Sequence, residues 1–147
     1  MRISTKTRYA ARALAQLASA PAERPISARE LAECQDISTK YLEAILKSLN
    51  SAGLVRTIRG NCGGYELARP AETITLKDMF EALEGSLAPV ECVDDPTRCP
   101  RADICPTRDT WVQLKESILR VFEQTTIRHL AERHDAKVSA SAFVYEI

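Results

Sequence analysis

The stretch ISARELAECQDISTKYLEAILKSLN, residues 26–50, contains two helix starts separated by a very short turn. Ser27 and Glu30 are spaced as a capping box: the hydroxyl satisfies a first-turn N–H, the carboxylate reaches back, and Ile26 can staple onto Leu31. Ser38 repeats the N-cap, with Ile37 placed against Leu42, and Leu42, Ile45, Leu46 and Leu49 fall on one helical face. Only Cys34-Gln35-Asp36-Ile37 separates the two helices, and Asp36 suits a left-handed turn position. The spacing predicts a helix-turn-helix whose second helix is set up to enter a major groove.

Outward from this pair, Tyr9, Ala10, Ala13, Leu14 and Leu17 mark a preceding helix that stops before Pro21. On the other side, residues 54–58 and 65–68 read as strands around Arg59-Gly60-Asn61-Cys62-Gly63-Gly64, a wing whose glycines allow close backbone approach. A further helix is expected over 75–83, capped by Thr75, stapled by Ile74 to Met79 and stopped at Gly85. From Pro106 a long helix should begin, with Trp111, Leu114, Ile118, Val121, Phe122 and Thr125 along one stripe. The expected fold is mainly α with a small β-hairpin wing: a winged helix-turn-helix over 1–85, a cysteine-bearing loop over 86–105, a dimerisation helix over 106–134 and a tail over 135–147. A stripe of that length exceeds what one short domain can cover, which predicts a homodimer.

Composition narrows the classes of function. No apolar run approaches the roughly 18 residues a membrane span needs, and residues 1–20 alternate charge with Ala and Leu instead of forming a signal segment. A cytoplasmic protein without membrane contact is expected. The formal net charge is zero, yet residues 1–69 carry 11 Lys and Arg against 6 Asp and Glu, a net +5. Residues 70–147 carry 9 against 14, a net −5, so a basic module is joined to an acidic body, as DNA binding favours. No nucleophile–base pair, phosphate loop or pair of carboxylates suggests an enzyme.

The five cysteines are an odd number, which in a reducing compartment points to ligands or redox-active thiols rather than disulfides. Cys92, Cys99 and Cys105 share one short segment, and their spacing suits a loop around an iron–sulfur cluster, 2Fe–2S or 4Fe–4S, better than the tight knuckles of structural zinc. Zinc and plain reduced thiols are the competing readings. Cys105 precedes the long helix, whose N-terminus favours an anion, and Arg98, Arg101 and Arg108 add positive charge. Against this stand Glu91, Asp94, Asp95 and Asp103, which repel a second anion. Cys34 reads as a small buried apolar residue, Cys62 as a wing-tip thiol open to oxidation, and His129 and His134 as surface or interface residues.

The ordered motifs MRISTKTRYA (1–10), ISTKYLE (37–43), Gly53-Leu54-Val55, Arg59-Gly60 with Gly63-Gly64-Tyr65, and the three cysteines ahead of Trp111 resemble the Rrf-type winged-helix transcription regulators, the IscR-, NsrR- and RirA-like iron–sulfur proteins. The resemblance implies a dimer, a cluster on Cys92, Cys99 and Cys105, and promoter DNA read by the third helix and the wing. The DNA-binding residues expected are Arg2, Ser38, Thr39, Lys40, Tyr41, Glu43, Arg59 and Gly60, acting on a near-palindromic double-stranded operator as a repressor or an activator. This chain departs from its relatives at two places. Arg108 stands where some members have a histidine ligand and Arg8 where others have a carboxylate, leaving an open iron site, Asp103 or Asp109, or an exogenous thiol as the fourth ligand. The alternative expectation is a cluster-free regulator that senses thiol oxidation or a partner protein.

Overall fold

A computed structural model describes residues 3–21 and 24–144 of the protein. Three helices, α1 (Thr5–Ser19), α2 (Ala28–Gln35) and α3 (Thr39–Ser51), lead into an antiparallel hairpin of β1 (Val55–Ile58) and β2 (Gly64–Leu67). Then follow α4 (Leu76–Glu84), the single turn α5 (Glu91–Asp94), α6 (Arg108–Gln124) and α7 (Ile127–Val144). Among the described residues no helix is long and apolar enough to cross a membrane.

The caps start the helices where the sequence places them. The Ser27 hydroxyl accepts from the Glu30 N–H at 3.1 Å, and that of Ser38 from the Tyr41 N–H at 3.2 Å. Asp36 takes the left-handed conformation, φ 53° and ψ 50°, and turns the chain between α2 and α3. One cap differs from expectation. Glu30 does not reach back to Ser27; its carboxylate lies 3.0 Å from the Arg24 guanidinium, a charge-assisted partner that outcompetes a neutral backbone N–H. The reciprocal box instead closes at α4, between Thr75 and Asp78.

The core forms around the apolar face of α3. Leu42, Ile45, Leu46 and Leu49 are fully buried together with Ala10, Ala13 and Leu14 of α1 and Leu31 of α2. Alanines on α1 let the helices approach closely. Ile74, just before α4, and Met79 within it join the same core, and the far end of α4 returns to α1, where Glu84 accepts from the hydroxyls of Ser4 and Thr7. Those two hydroxyls hold the Glu84 carboxyl below the usual glutamate range.

The hairpin register runs from Val55 opposite Leu67 to Ile58 opposite Gly64. Beyond Gly64 the wing is clamped to the chain entering α2: Ile26 and Tyr65 exchange both backbone hydrogen bonds, at 3.0 and 2.8 Å. This contact explains why position 64 is glycine, since a Cβ there would meet the Ile26 carbonyl oxygen at 2.5 Å.

Two expectations are corrected. The helix expected to run from Pro106 to 134 is two helices broken at Thr125 and Thr126, and the expected tail continues as α7. The break is fixed by contacts remote in sequence: the Leu76 N–H donates to the Thr125 carbonyl at 2.9 Å and the Ile127 N–H to the Ile74 carbonyl at 2.8 Å. Thr126 and His129 then cap α7 reciprocally, the Thr126 N–H donating to His129 Nδ1 and the His129 N–H to Thr126 Oγ1. Ile127 and Ala131 are thereby buried, and α7 lies along α1. Cys34 is the second correction: it is exposed, because α2 buries its Leu31–Ala32 side.

The clamp on the wing makes a direct prediction. Gly64→Ala should lower unfolding stability by about 1–3 kcal/mol, because backbone rather than a flexible side chain must give way. Chemical denaturation of the two proteins measures it.

Candidate nucleic-acid interface and cysteine segment

Burial of the leucine face of α3 leaves its other side to solvent. Lys40, Tyr41 and Glu43 are exposed, Thr39 is half-buried, and Ser38 is exposed with its oxygen engaged in capping. Arg59 and Gly60 are exposed at the tip of the wing, where Gly60 has a φ of 119°. Arg2 lies outside the described residues. The remaining expected residues fall on two features, the first turns of α3 and the wing tip, that flank the same core.

Two residues not anticipated from sequence support the start of α3. The Tyr9 ring of α1 meets Tyr41 edge-on with centroids 6.0 Å apart, and the Arg12 guanidinium lies 4.8 Å from the Tyr9 centroid. Arg12 also donates to the Gln35 carbonyl, at 3.5 Å, beside the turn between the helices. Tyr41 is thus held by an aromatic contact from a different helix, worth about 0.5–1.5 kcal/mol for such a ring pair. No spacing rule within one helix could have indicated it.

The three cysteines lie between α4 and α6, each half-buried. Cys92 belongs to α5, Cys99 follows a one-turn helix at Pro96–Arg98, and Cys105 follows another at Ala102–Ile104. Arg108, the first residue of α6, ties the ends of this segment together. Its side chain donates to the Cys92 carbonyl at 3.1 Å and its backbone N–H to the Cys105 carbonyl at 3.4 Å. Asp94 pairs with Lys115, a second link from α5 to α6.

Thr107 precedes α6 but makes no side-chain cap; its hydroxyl lies 3.4 Å from the Cys105 sulfur. That hydroxyl, the adjoining backbone N–H groups and the Arg101 charge hold the Cys105 thiol below its ordinary range. The donor set is therefore chemically suited to a soft metal or an iron–sulfur group: three thiols on one segment, one of them favoured as thiolate. Their geometry is not that of a formed cage. Among the described residues no three Cys, His, Asp or Glu side chains are gathered so as to enclose a metal ion. Asp103 and Asp109 are exposed near the segment, and Cys62 is exposed in the wing, away from it in sequence and in element.

A family model described as "Rrf2: Iron-dependent Transcriptional regulator" matches residues 3–133. The chain belongs to the Rrf2 family. It is 38% identical over 130 residues to protein rrf2 of Nitratidesulfovibrio vulgaris, across 88% of this chain and 87% of that one. It is 34% identical over 143 residues to the HTH-type transcriptional regulator CymR of Bacillus subtilis, across 97% and 99% of the two chains. The solved structure of CymR, the global cysteine regulator of B. subtilis, matches with a TM-score of 0.76 at 34% identity, over 90% of this chain and 98% of that one. That of T. potens IscR matches with 0.73 at 33% identity, over 91% and 88%.

As an Rrf2 protein the chain is a DNA-binding transcription regulator and not an enzyme. Its winged helix is the fold of those neighbours. In this Rrf2 chain α6 buries none of its residues fully, packing through Phe122 edge-on against Phe80 of α4 at 5.5 Å, while Trp111, Leu114 and Val121 stay exposed.

The clasp by Arg108 predicts a local effect. Arg108→Ala should speed amide hydrogen exchange across residues 91–105 several-fold and leave exchange in α3 unchanged. Hydrogen-exchange mass spectrometry of the two proteins resolves the two regions.

Proposed function

We propose that this Rrf2 protein is a cytoplasmic repressor whose operator affinity is set by an iron–sulfur cluster held by Cys92, Cys99 and Cys105. The observation that carries this reading is the placement of three half-buried thiols on one segment whose ends are joined by Arg108 to the start of α6. The iron dependence in the family description favours it. When bound, the cluster supplies iron whose oxidation, loss or reaction with a small molecule is the signal.

The chain's own residues turn that signal into a change at DNA. A change in the path of residues 92–105 on gain or loss of a cluster would reach α6 through Arg108 on the Cys92 carbonyl and Lys115 on Asp94. From α6 the path runs through Phe122 on Phe80 and Glu123 on Lys77 into α4, which packs against α1 and α3. The exposed Trp111, Leu114 and Val121 of α6 form the face for a second copy, so two α3 helices address a near-palindromic operator. Sedimentation should find Leu114→Asp monomeric where the unaltered protein is a dimer.

At the operator, Ser38, Thr39, Lys40 and Tyr41 meet the major groove, while Arg59 and Gly60 approach the narrower minor groove. Glu43 accepts from cytosine N4 and repels phosphate, so it selects among sequences. Glu43→Ala should therefore narrow the affinity gap between operator and unrelated DNA by about 1–3 kcal/mol, whereas Arg59→Ala should weaken binding to both. Fluorescence anisotropy on the two DNAs separates these effects.

The cluster reading is tested by anaerobic purification, visible absorption and paired iron and acid-labile sulfide assays. Matched iron and sulfide in the unaltered protein, absent from Cys99→Ser, are expected; colourless protein that takes up no iron on anaerobic reconstitution contradicts it. The second reading, a cluster-free thiol sensor, draws on exposed Cys62 in the wing and on likeness to the cysteine regulator CymR. Under it, replacing Cys92, Cys99 and Cys105 by serine leaves DNA binding and its response to oxidant intact.

A further inference from the structure

Between α1, the end of α2 and α7 the surface opens into a cleft of about 530 Å3. Its floor is apolar, formed by Ala11, Ala15 and Leu130, and its walls carry Arg12, Arg133 and Lys137, with His134 beside them. Among the described residues no carboxylate lines it, and the exposed Cys34 is one of its lining residues. Its volume falls in the range of small-molecule sites, roughly 300–1,000 Å3.

A second cleft, near the wing, shows what distinguishes this one. That cleft, of about 610 Å3, is lined by Arg24, Arg56, Arg69 and Arg128. Each of these has a carboxylate within 4 Å, on Glu30, Glu66, Asp78 and Glu72 in turn. Its charge is already neutralised. Among the described residues Arg12, Arg133 and Lys137 have no such ion pair, so three cations converge on a concave surface without a counter-charge. Like charges gathered in this way repel one another, and an anion placed between them relieves the repulsion. A DNA backbone would use the cations alone and leave the apolar floor uncovered; a compact molecule uses both.

We propose that this cleft binds a small metabolite carrying at least two carboxylate or phosphate groups, with its carbon frame on Ala11, Ala15 and Leu130. Arg133 and Lys137, one turn apart on α7, take one anionic group and Arg12 on α1 takes the other. Arg12 is also the residue that lies over Tyr9 and donates to Gln35, so a ligand that recruits it acts on the turn before α3 and on the support of Tyr41. The site is separate from the cysteine segment and stands whether or not that segment holds a cluster.

The test uses the full-length protein and Cys34 as its reporter. Alkylation of each cysteine by iodoacetamide, a neutral reagent, is followed by peptide mass mapping with 3-phosphoglycerate or succinate, against sodium chloride at matched ionic strength. Expected is a several-fold slowing at Cys34 with no change at Cys62, exposed in the distant wing, and loss of that protection in Arg133→Ala/Lys137→Ala. Both residues are exposed on α7, and unchanged circular dichroism confirms that the variant folds. The proposal is overturned if neither probe protects Cys34, if Cys62 is protected equally, if protection survives in the double variant, or if only duplex DNA protects.

Discussion

Burial of Leu42, Ile45, Leu46 and Leu49 is the constraint on which the rest of the molecule depends. All four are completely withdrawn from solvent, and at about 1.5–3 kcal/mol each they supply roughly 6–12 kcal/mol of gross stabilisation, comparable with the net stability of a small domain. This fixes the rotation of α3 about its axis. Once the apolar face is committed, Lys40, Tyr41 and Glu43 have nowhere to go but outward, on a helix whose start Ser38 and Asp36 fix. The wing is positioned against the same core by Ile26, which is buried itself and also pairs with Tyr65. The outward face of α3 proposed to meet DNA is thus set by core packing, with Tyr41 held further by Tyr9 of α1.

The parts legible in the sequence are those governed by short-range rules. Capping at Ser27, Ser38 and Thr75, the left-handed Asp36 and the glycine-bearing hairpin each depend on residues a few positions apart, and the structure contains all of them. What was not legible depends on partners distant in the chain. Nothing local ends α6 at Gln124, because Val121, Phe122 and Thr125 continue the helical stripe; backbone hydrogen bonds to Ile74 and Leu76 decide the break. Glu30 was locally suited to a capping box and was taken by Arg24 instead. Tyr9 under Arg12 and against Tyr41 joins two helices and follows no periodicity.

The cysteine segment shows the same division. Spacing alone marked Cys92, Cys99 and Cys105 as a set, and the sequence cast Arg108 as nearby positive charge that is unable to ligate. The structure gives that arginine a task, bridging the carbonyls of Cys92 and Cys105 at the first residue of α6. These two hydrogen bonds tie the path of the segment to the first turn of the helix that follows it. The helix in turn packs on α4 and, among the described residues, leaves Trp111, Leu114 and Val121 exposed; in the proposed function that face links the segment to a second copy and to α3.

The most direct test of this account is operator affinity measured anaerobically on a single preparation, once loaded with the proposed cluster and once after the iron has been removed by chelation, at the same salt concentration. The account predicts at least a tenfold difference, a coupling of about 1.4 kcal/mol or more between the cysteine segment and α3. Equal affinity of the two forms would contradict it, leaving the three cysteines without a role in reading DNA.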